Sequence, residues 1–346
     1  METPAYLFKI NVDWSLIAII SQLDRFDASW TAIERREKQS LKQLKFIATV
    51  SSVGASTRIE GSKLSDEEID ILLRNIDISK LEDRDSQEAV GYFETLDNIS
   101  NSYNEIEITE SNIKNLHNVL LKYSTKDEWH KSNYKQHSNA VQANYPDGSS
   151  QTIFETTSPG FATENAMREL IAWYNTEKSI HHIVKCSIFT YEFLSIHPFQ
   201  DGNGRLSRIL SSLLLLKNGY KWIEYVSFEH EIENKKLEYY KVLRSCQAQR
   251  PNENISEWVN FFVDALKNIQ EKLMHKLNIH EAGELLKPRE KLIVSFIQNN
   301  PGCKTGEIAK ALGISRIIII RALAPLMEQN IIEKHGVGSG TQYTIA

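Results

Sequence analysis

The run His197-Pro198-Phe199-Gln200-Asp201-Gly202-Asn203-Gly204-Arg205-Leu206-Ser207-Arg208 gathers the residue types that polyphosphate chemistry needs. An apolar helical segment with Ile188, Phe189, Phe193 and Leu194 should end at His197, because Pro198 disfavours helix in the residue before it. Gly202 and Gly204 let the backbone turn tightly with its N–H groups converging, and a new helix begins at once. A glycine loop feeding a helix N-terminus is an anion site, through its free N–H groups and the positive end of the dipole. Arg205 and Arg208 are three apart and project from one side of the first turn. Two guanidiniums over such a nest suit a polyphosphate rather than a lone carboxylate. Asp201 beside the nest would repel phosphate unless a cation intervenes, which implies Mg²⁺. His197 is placed to take a proton from a hydroxyl attacking the bound phosphate. No Walker A lysine pattern occurs, which argues against an ordinary P-loop NTPase.

Taken together, these residues resemble the signature H-P-F-x-D-G-N-G-R-x-x-R of the Fic domain family (filamentation induced by cyclic AMP), with every fixed position present. The resemblance extends over much of residues 1–275. Members move AMP from ATP onto a protein Tyr, Thr or Ser hydroxyl and release pyrophosphate. It implies that His197 is the general base and that Asp201 holds Mg²⁺. Gly202, Asn203 and Gly204 would supply the anion hole, and Arg205 and Arg208 would grip the β and γ phosphates. The death-on-curing kinase branch has Lys where Gly204 stands, so Gly204 favours adenylylation over phosphorylation. By the same resemblance Thr152–Glu155, with Phe154 and Glu155, approach the nucleotide, Tyr239-Tyr240 border it, and Gln247 reaches the adenine. Ser56-Thr57-Arg58-Ile59-Glu60-Gly61 fits the family's inhibitory pattern [S/T]-x-x-x-E-[G/N], with Ser56 and Glu60 on one helical face. The implied brake is Glu60 pairing with Arg208, which removes the γ-phosphate's partner. Two other readings use the same chain: an AMP-removing hydrolase in which Glu60 positions water, and a nucleotide-sensing regulator.

The elements that must position this run read as mostly helical. Asp13 can cap a helix whose apolar face uses Trp14, Ile17 and Ile20. A second helix from about Ser29 toward Glu60 carries Leu41, Leu44, Ile47 and Ala48, and Gly61 stops it. Ser65 with Glu68 makes a capping box, and Thr109 caps a helix that buries Ile113, Leu116 and Leu120. Alternation in Val141, Ala143 and Tyr145, the turn Pro146-Asp147-Gly148, and alternation in Thr152, Phe154 and Thr156 read as a hairpin. It resembles the family's flap, whose edge would hold a target segment as an added strand along 141–157. Ile255, Trp258, Phe262, Leu266, Ile269 and Leu273 mark one long amphipathic helix, with a boundary expected near 280–288 where Gly283 and Pro288 interrupt it.

The expected domains are a helical region with the inhibitory motif at 1–100, the catalytic core at 101–280 and a C-terminal module at 287–346. Three helices (from Leu292 and Phe296, 304–312, 315–329) and two strands around Gly336 and Gly338 make that module a winged helix-turn-helix pattern. The fold class is therefore mainly α: a helical-bundle core with a β-hairpin flap, plus a small winged-helix domain.

The 346 residues carry a net charge of −5, with a local +4 confined to 287–346. That excludes a strongly basic nucleic-acid protein for the main body. The third helix of the module reads Ser315-Arg316-Ile317-Ile318-Ile319-Ile320-Arg321, where a base-reading helix would be polar, so docking to protein is favoured over DNA. Cys186, Cys246 and Cys303 form no C-x-x-C, and with no secretory signal the expected compartment is the cytoplasm. The longest aliphatic runs fall far short of a bilayer span. ATP, a target protein and a second copy of the chain are the expected partners.

Overall fold

The computed structural model describes residues 8–78, 81–139, 141–144, 150–284, 288–328, 331–336 and 338–345. The chain divides into two compact units, residues 1–271 and 272–346. The fold is mainly α. Among the described residues no helix is long and apolar enough to cross a membrane.

The first unit opens with α1 (Trp14–Arg36), capped by the Asp13 carboxylate accepting from the Leu16 N–H at 2.8 Å. The expected apolar face is corrected here: Trp14 is 86% and Ile17 45% exposed, while Leu16, Leu23, Phe26 and Trp30 are buried. The helix offers apolar residues on two sides, and packing decides between them: Phe26 stacks edge-on to Trp222 and Trp30 lies against Tyr225. The single helix expected from Ser29 to Glu60 is broken at Glu37, which closes α1 onto the Ile33 carbonyl and opens α2 (Lys38–Ile59). The charged stretch 34–38 has no apolar side chain to carry a straight helix into a core. Ile47, expected on the inner face, is exposed, whereas Val50, Val53, Ala55 and Ile59 are buried.

Gly61, at φ 111°, takes a conformation L side chains rarely adopt and ends α2. Then come α3 (Asp66–Arg74), with the Ser65–Glu68 capping box, α4 (Arg84–Ser102) and α5 (Glu110–Leu120), capped by Thr109. β1 (Val141–Asn144) and β2 (Ser150–Phe154) pair antiparallel, Gln142 opposite Thr152, with the register shifting between Val141 and Gln142. The turn expected at 146–148 lies outside the described residues.

Next are α6 (Phe161–Thr176), α7 (His182–Ile196) and α8 (Asn203–Lys217). From Lys185 to Ile196 every residue of α7 is buried, and nearly all of α8 is too, so these two form the centre of the unit. A short 3₁₀ turn (Lys221–Tyr225), α9 (Phe228–Asn234), α10 (Lys236–Gln247) and α11 (Ser256–Glu284) complete the order. In α11 the expected stripe Trp258, Phe262, Leu266, Ile269 and Leu273 is buried, and Gly283 does not interrupt the helix.

The second unit contains α12 (Pro288–Asn299), α13 (Thr305–Leu312), α14 (Arg316–Glu328) and the antiparallel pair β3 (Ile332–His335) and β4 (Gln342–Ile345). Its core gathers Ile293, Ile297, Ile308, Ile319, Leu323, Leu326, Ile332 and Tyr343. Leu292, one of the two residues that mark α12 in the sequence, is exposed, and its neighbour Ile293 is buried. Ile317 and Ile320 are exposed, and Arg316 lies over Gly306, where any Cβ would collide with its guanidinium. The three cysteines are free and buried.

Candidate functional site

The loop between α7 and α8 is held in place before it does any chemistry. His197 caps α7 in the left-handed region (φ 52°), its N–H bonded to the Phe193 carbonyl at 2.9 Å. Its Nδ1 lies 3.3 Å from the Leu194 carbonyl, a contact that only a protonated Nδ1 can make. The lone pair is therefore on Nε2. Removal from water pushes the imidazole down to about 4, so it is neutral at pH 7.

Lys135 braces the same loop. Its Nζ donates to Asn139 Oδ1 (2.9 Å), Thr156 Oγ1 (2.7 Å) and the Ile196 carbonyl (3.0 Å). Asn139 in turn donates to the carbonyls of Phe199 (2.7 Å) and His197 (3.3 Å). Thr156 follows β2, so this network joins the stem of the hairpin to the histidine loop. Burial pushes the lysine down to about 8.

On the other side His117 stacks on Phe199 (3.8 Å between centroids, 11°). It accepts from the Ser132 N–H at Nδ1 (3.1 Å), which leaves Nε2–H to donate to the Asp201 carbonyl (3.0 Å). Burial pushes this histidine, too, down to about 4.

Asp201 turns its carboxylate toward the Gly202 N–H (2.6 Å) and lies 3.5 Å from Arg205 and 3.6 Å from Arg84. Burial raises its pKa, but Arg205, the Gly202 N–H and Arg84 outweigh this and hold it below the usual carboxylate range. Gly202 (φ 78°) makes the left-handed entry to α8. The side chain of Asn203 folds back on Phe199, accepting from its N–H at 2.9 Å and donating to its carbonyl at 2.7 Å. What the first turn of α8 offers an anion is thus backbone N–H groups, not the Asn203 amide.

Arg205 is almost fully buried and pairs with Glu88 of α4 at 3.0 Å, and Arg84 donates to the same carboxylate at 2.6 Å. Arg208, equally buried, donates from Nε to Ser56 Oγ (2.8 Å) and from Nη2 to the Ser56 carbonyl (3.0 Å) and Glu60 Oε1 (2.7 Å). Burial raises the Glu60 pKa, but Arg208 and then Arg205 more than offset it, so Glu60 is ionised. The end of α2 that carries Glu60 is itself clamped. Arg58 makes a two-pronged bond to Glu233 (2.7 and 3.0 Å), and Lys236 Nζ donates to the Ile59 carbonyl (2.7 Å).

One cavity of about 150 Å³ brings these groups together. His197, Asp201, Gly202, Asn203, Gly204, Arg205, Arg208, Tyr239, Tyr240, Gln247 and Glu60 all line it. Tyr239 is buried and stands edge-on to half-buried Tyr240 at 5.2 Å. Gln247 donates its amide to Ser195 Oγ at 3.1 Å. Ser56 sits behind Arg208 rather than at the wall. Phe154 is half-buried and Glu155 exposed, and neither lines the cavity. Glu88, Arg84, His117 and Lys135 escaped the sequence reading. Arg84–Glu88 has the spacing of an ordinary surface pair, and His117 sits among the apolar positions of its helix.

Asp201 suits a magnesium ion: it is ionised, partly exposed at the cavity wall, and Mg²⁺ takes one or two carboxylates plus substrate phosphates. Among the described residues no cluster of three or more ligating side chains exists.

Residues 107–215 match the Fic/DOC family. The chain is 31% identical over 132 residues to a probable protein adenylyltransferase of Aquifex aeolicus, covering 35% of this chain and 41% of that one. It is 33% identical over 69 residues to the protein adenylyltransferase fic-1 of Caenorhabditis elegans, covering 19% and 13%. The chain thus spans less than half the length of these relatives. A Fic family protein of Desulfovibrio desulfuricans shares the fold over 99% of this chain and 98% of its own, with TM-score 0.63 and 20% identity. A Fic-domain signaling protein of Bacteroides thetaiotaomicron does so over 75% and 94%, with TM-score 0.55 and 23% identity. With the loop, the helix that follows it and the matched segment in one place, residues 107–215 form a Fic domain of the Fic/DOC family.

Proposed function

We propose that this protein is an adenylyltransferase that moves AMP from ATP to a Ser, Thr or Tyr hydroxyl of a protein, and that Glu60 holds it inactive. The observation that carries the reading is the 2.7 Å bond between Glu60 and Arg208 inside the cavity that also holds His197 and Asp201. A neutral His197 with its lone pair on Nε2 is fit to take the proton of the attacking hydroxyl. That oxygen bonds to the α-phosphorus, the bond to the β-phosphate breaks, and pyrophosphate leaves. The N–H groups opening α8 and the Arg208 guanidinium face the charge that must be stabilised. Mg²⁺ held at Asp201 would offset the negative charge of the phosphates.

With Glu60 in place the guanidinium is already neutralised, and the cavity is smaller than the roughly 300 Å³ at which ligand pockets begin. Both features support Glu60 as the brake. The hairpin edge is the proposed seat of the target segment, paired as an added strand, since Lys135 and Thr156 tie its stem to the His197 loop. The C-terminal unit is proposed to be a winged helix that docks protein, supported by the exposed Ile317 and Ile320 of α14.

The test is intact-mass spectrometry of Glu60→Gly after incubation with ATP and Mg²⁺, with Glu60→Gly/His197→Ala as control. An added AMP that requires His197 is expected. An added phosphate, or equal modification of parent and Glu60→Gly protein, would overturn the reading.

A further inference from the structure

A second cavity, of about 310 Å³, lies between α2, α4, α8 and α9, one helical turn along α2 and α8 from the Ser56–Arg208 contact. Its wall is chiefly aliphatic and aromatic, including Phe46, Phe93, Leu216 and Phe228. The volume falls within the range of small-molecule sites.

Two hydroxyls at this cavity stand apart from their neighbours. Thr49, Thr95 and Ser211 return their hydroxyls to the carbonyls of Lys45, Gly91 and Ser207 one turn back, and Ser100 donates to Glu224. Ser52 and Ser212 do neither. Ser52 is 6% and Ser212 9% exposed, both line the cavity, and neither hydroxyl has a partner among the described residues. Each oxygen keeps accessible surface at the cavity wall, where a ligand group or a water can meet it.

The acidic groups of the wall are already engaged. Glu224 pairs with Lys45 at 2.9 Å, Glu229 accepts from Tyr92 at 2.9 Å, and Asp97 accepts from Asn101 at 3.1 Å. A charged group carried into the cavity would find these carboxylates engaged, and Lys42 of the wall is exposed to water, so it offers no buried counter-charge.

From the two hydroxyls, the apolar wall and the paired charges, we infer that this cavity is a binding site for a small, uncharged, mainly apolar molecule bearing one carbonyl or hydroxyl oxygen, held by Ser52 and Ser212. Its position joins it to α2. Ser52 is one turn before Ser56, and Ser212 one turn after Arg208, so the ligand would sit one turn from that pair. The binding claim itself is independent of the proposed activity.

The test uses prodan, a neutral naphthyl ketone that emits at shorter wavelength in apolar surroundings, titrated into the full chain without nucleotide. Saturable binding with a blue shift is expected. Ser52→Ala/Ser212→Ala, which removes only the two hydroxyls, should weaken it about threefold to tenfold. Ser212→Leu, which fills the space, should abolish it while leaving the circular dichroism spectrum unchanged. No saturable binding, or parent-like affinity in the double alanine variant, would overturn the inference. Parent-like affinity in a folded Ser212→Leu protein would do so as well.

Discussion

The Glu60 carboxylate stands directly over the Cα of Gly204, so close that a Cβ at 204 would collide with Oε1. The missing side chain of one residue makes room for the charge of the other. Gly204 lies in the first turn of α8 with no positive φ, so alanine is locally better there by up to about 1 kcal/mol. In the parent, Gly204→Ala must push Glu60 away from Arg208 and leave a buried guanidinium short of its partner. The expected outcome is net destabilisation of about 1–3 kcal/mol in the parent and neutrality or slight stabilisation in the Glu60→Gly background. Urea denaturation of the four proteins of the cycle measures the coupling, and additivity would deny the contact.

Proton transfer to His197 requires the neutral ring, and its pKa is held down to about 4. Activity of the Glu60→Gly protein should therefore stay level as pH falls through 6.5 and decline only near 4 to 5. The nearby Glu60 charge raises the histidine's pKa, so its removal moves the decline lower. A profile of kcat/KM against pH checks this, and a fall centred at 6.5 would mean an imidazole open to water.

Glu88 holds Arg205 and Arg84, and through them the surroundings of Asp201. Replacing it with alanine leaves the Arg205 charge buried with only the longer Asp201 contact. A loss of roughly 3 kcal/mol is expected, against a smaller one for Glu88→Gln, which keeps shape and hydrogen bonding. Thermal unfolding of the two variants distinguishes a positioning carboxylate from a surface one.

His117 is buried neutral with a pKa near 4, against about 6.5 in the unfolded chain. Between these values the unfolded state binds the extra proton. Stability therefore rises with pH across that window and is lost as pH falls from 6.5 toward 4. The contribution at stake is roughly 3 kcal/mol. His117→Gln should lower stability at pH 7 and flatten the slope between pH 6.5 and 4, as read from urea midpoints at a series of pH values.

Lys135 binds three acceptors that join the hairpin stem to the His197 loop. Lys135→Met keeps the apolar stem but leaves the Ile196 carbonyl without its donor and the hairpin stem held to the loop only through the Thr156–Asn139 bond (2.7 Å). Faster limited proteolysis within 139–157 is expected, at least severalfold, while α7 and α8 keep their hydrogen-exchange protection.

The sequence by itself determined the shape of the loop before α8 and the shared helical face of Ser56 and Glu60, because both are set by short-range rules. Pro198 ends α7, Gly202 supplies the left-handed turn, Arg205 and Arg208 follow at helical spacing, and Ser56 and Glu60 share a face of α2. The caps at Asp13, Ser65 and Thr109 were legible for the same reason, each resting on a side chain within three residues of the N–H it receives. Only the tertiary structure decided which apolar face of α1 is buried, since Leu16 and Trp14 are equal candidates until Trp222 and Tyr225, remote in sequence, pack on Phe26 and Trp30. It also decided that the Asn203 amide serves Phe199, and that Glu88, His117 and Lys135 belong to the site. Their partners lie on elements remote in sequence, and no local pattern separates a buried ion pair from a solvated one. Burial is a property of the assembled chain: it keeps His197 neutral, while arginines brought in by the fold keep Glu60 and Asp201 ionised against it.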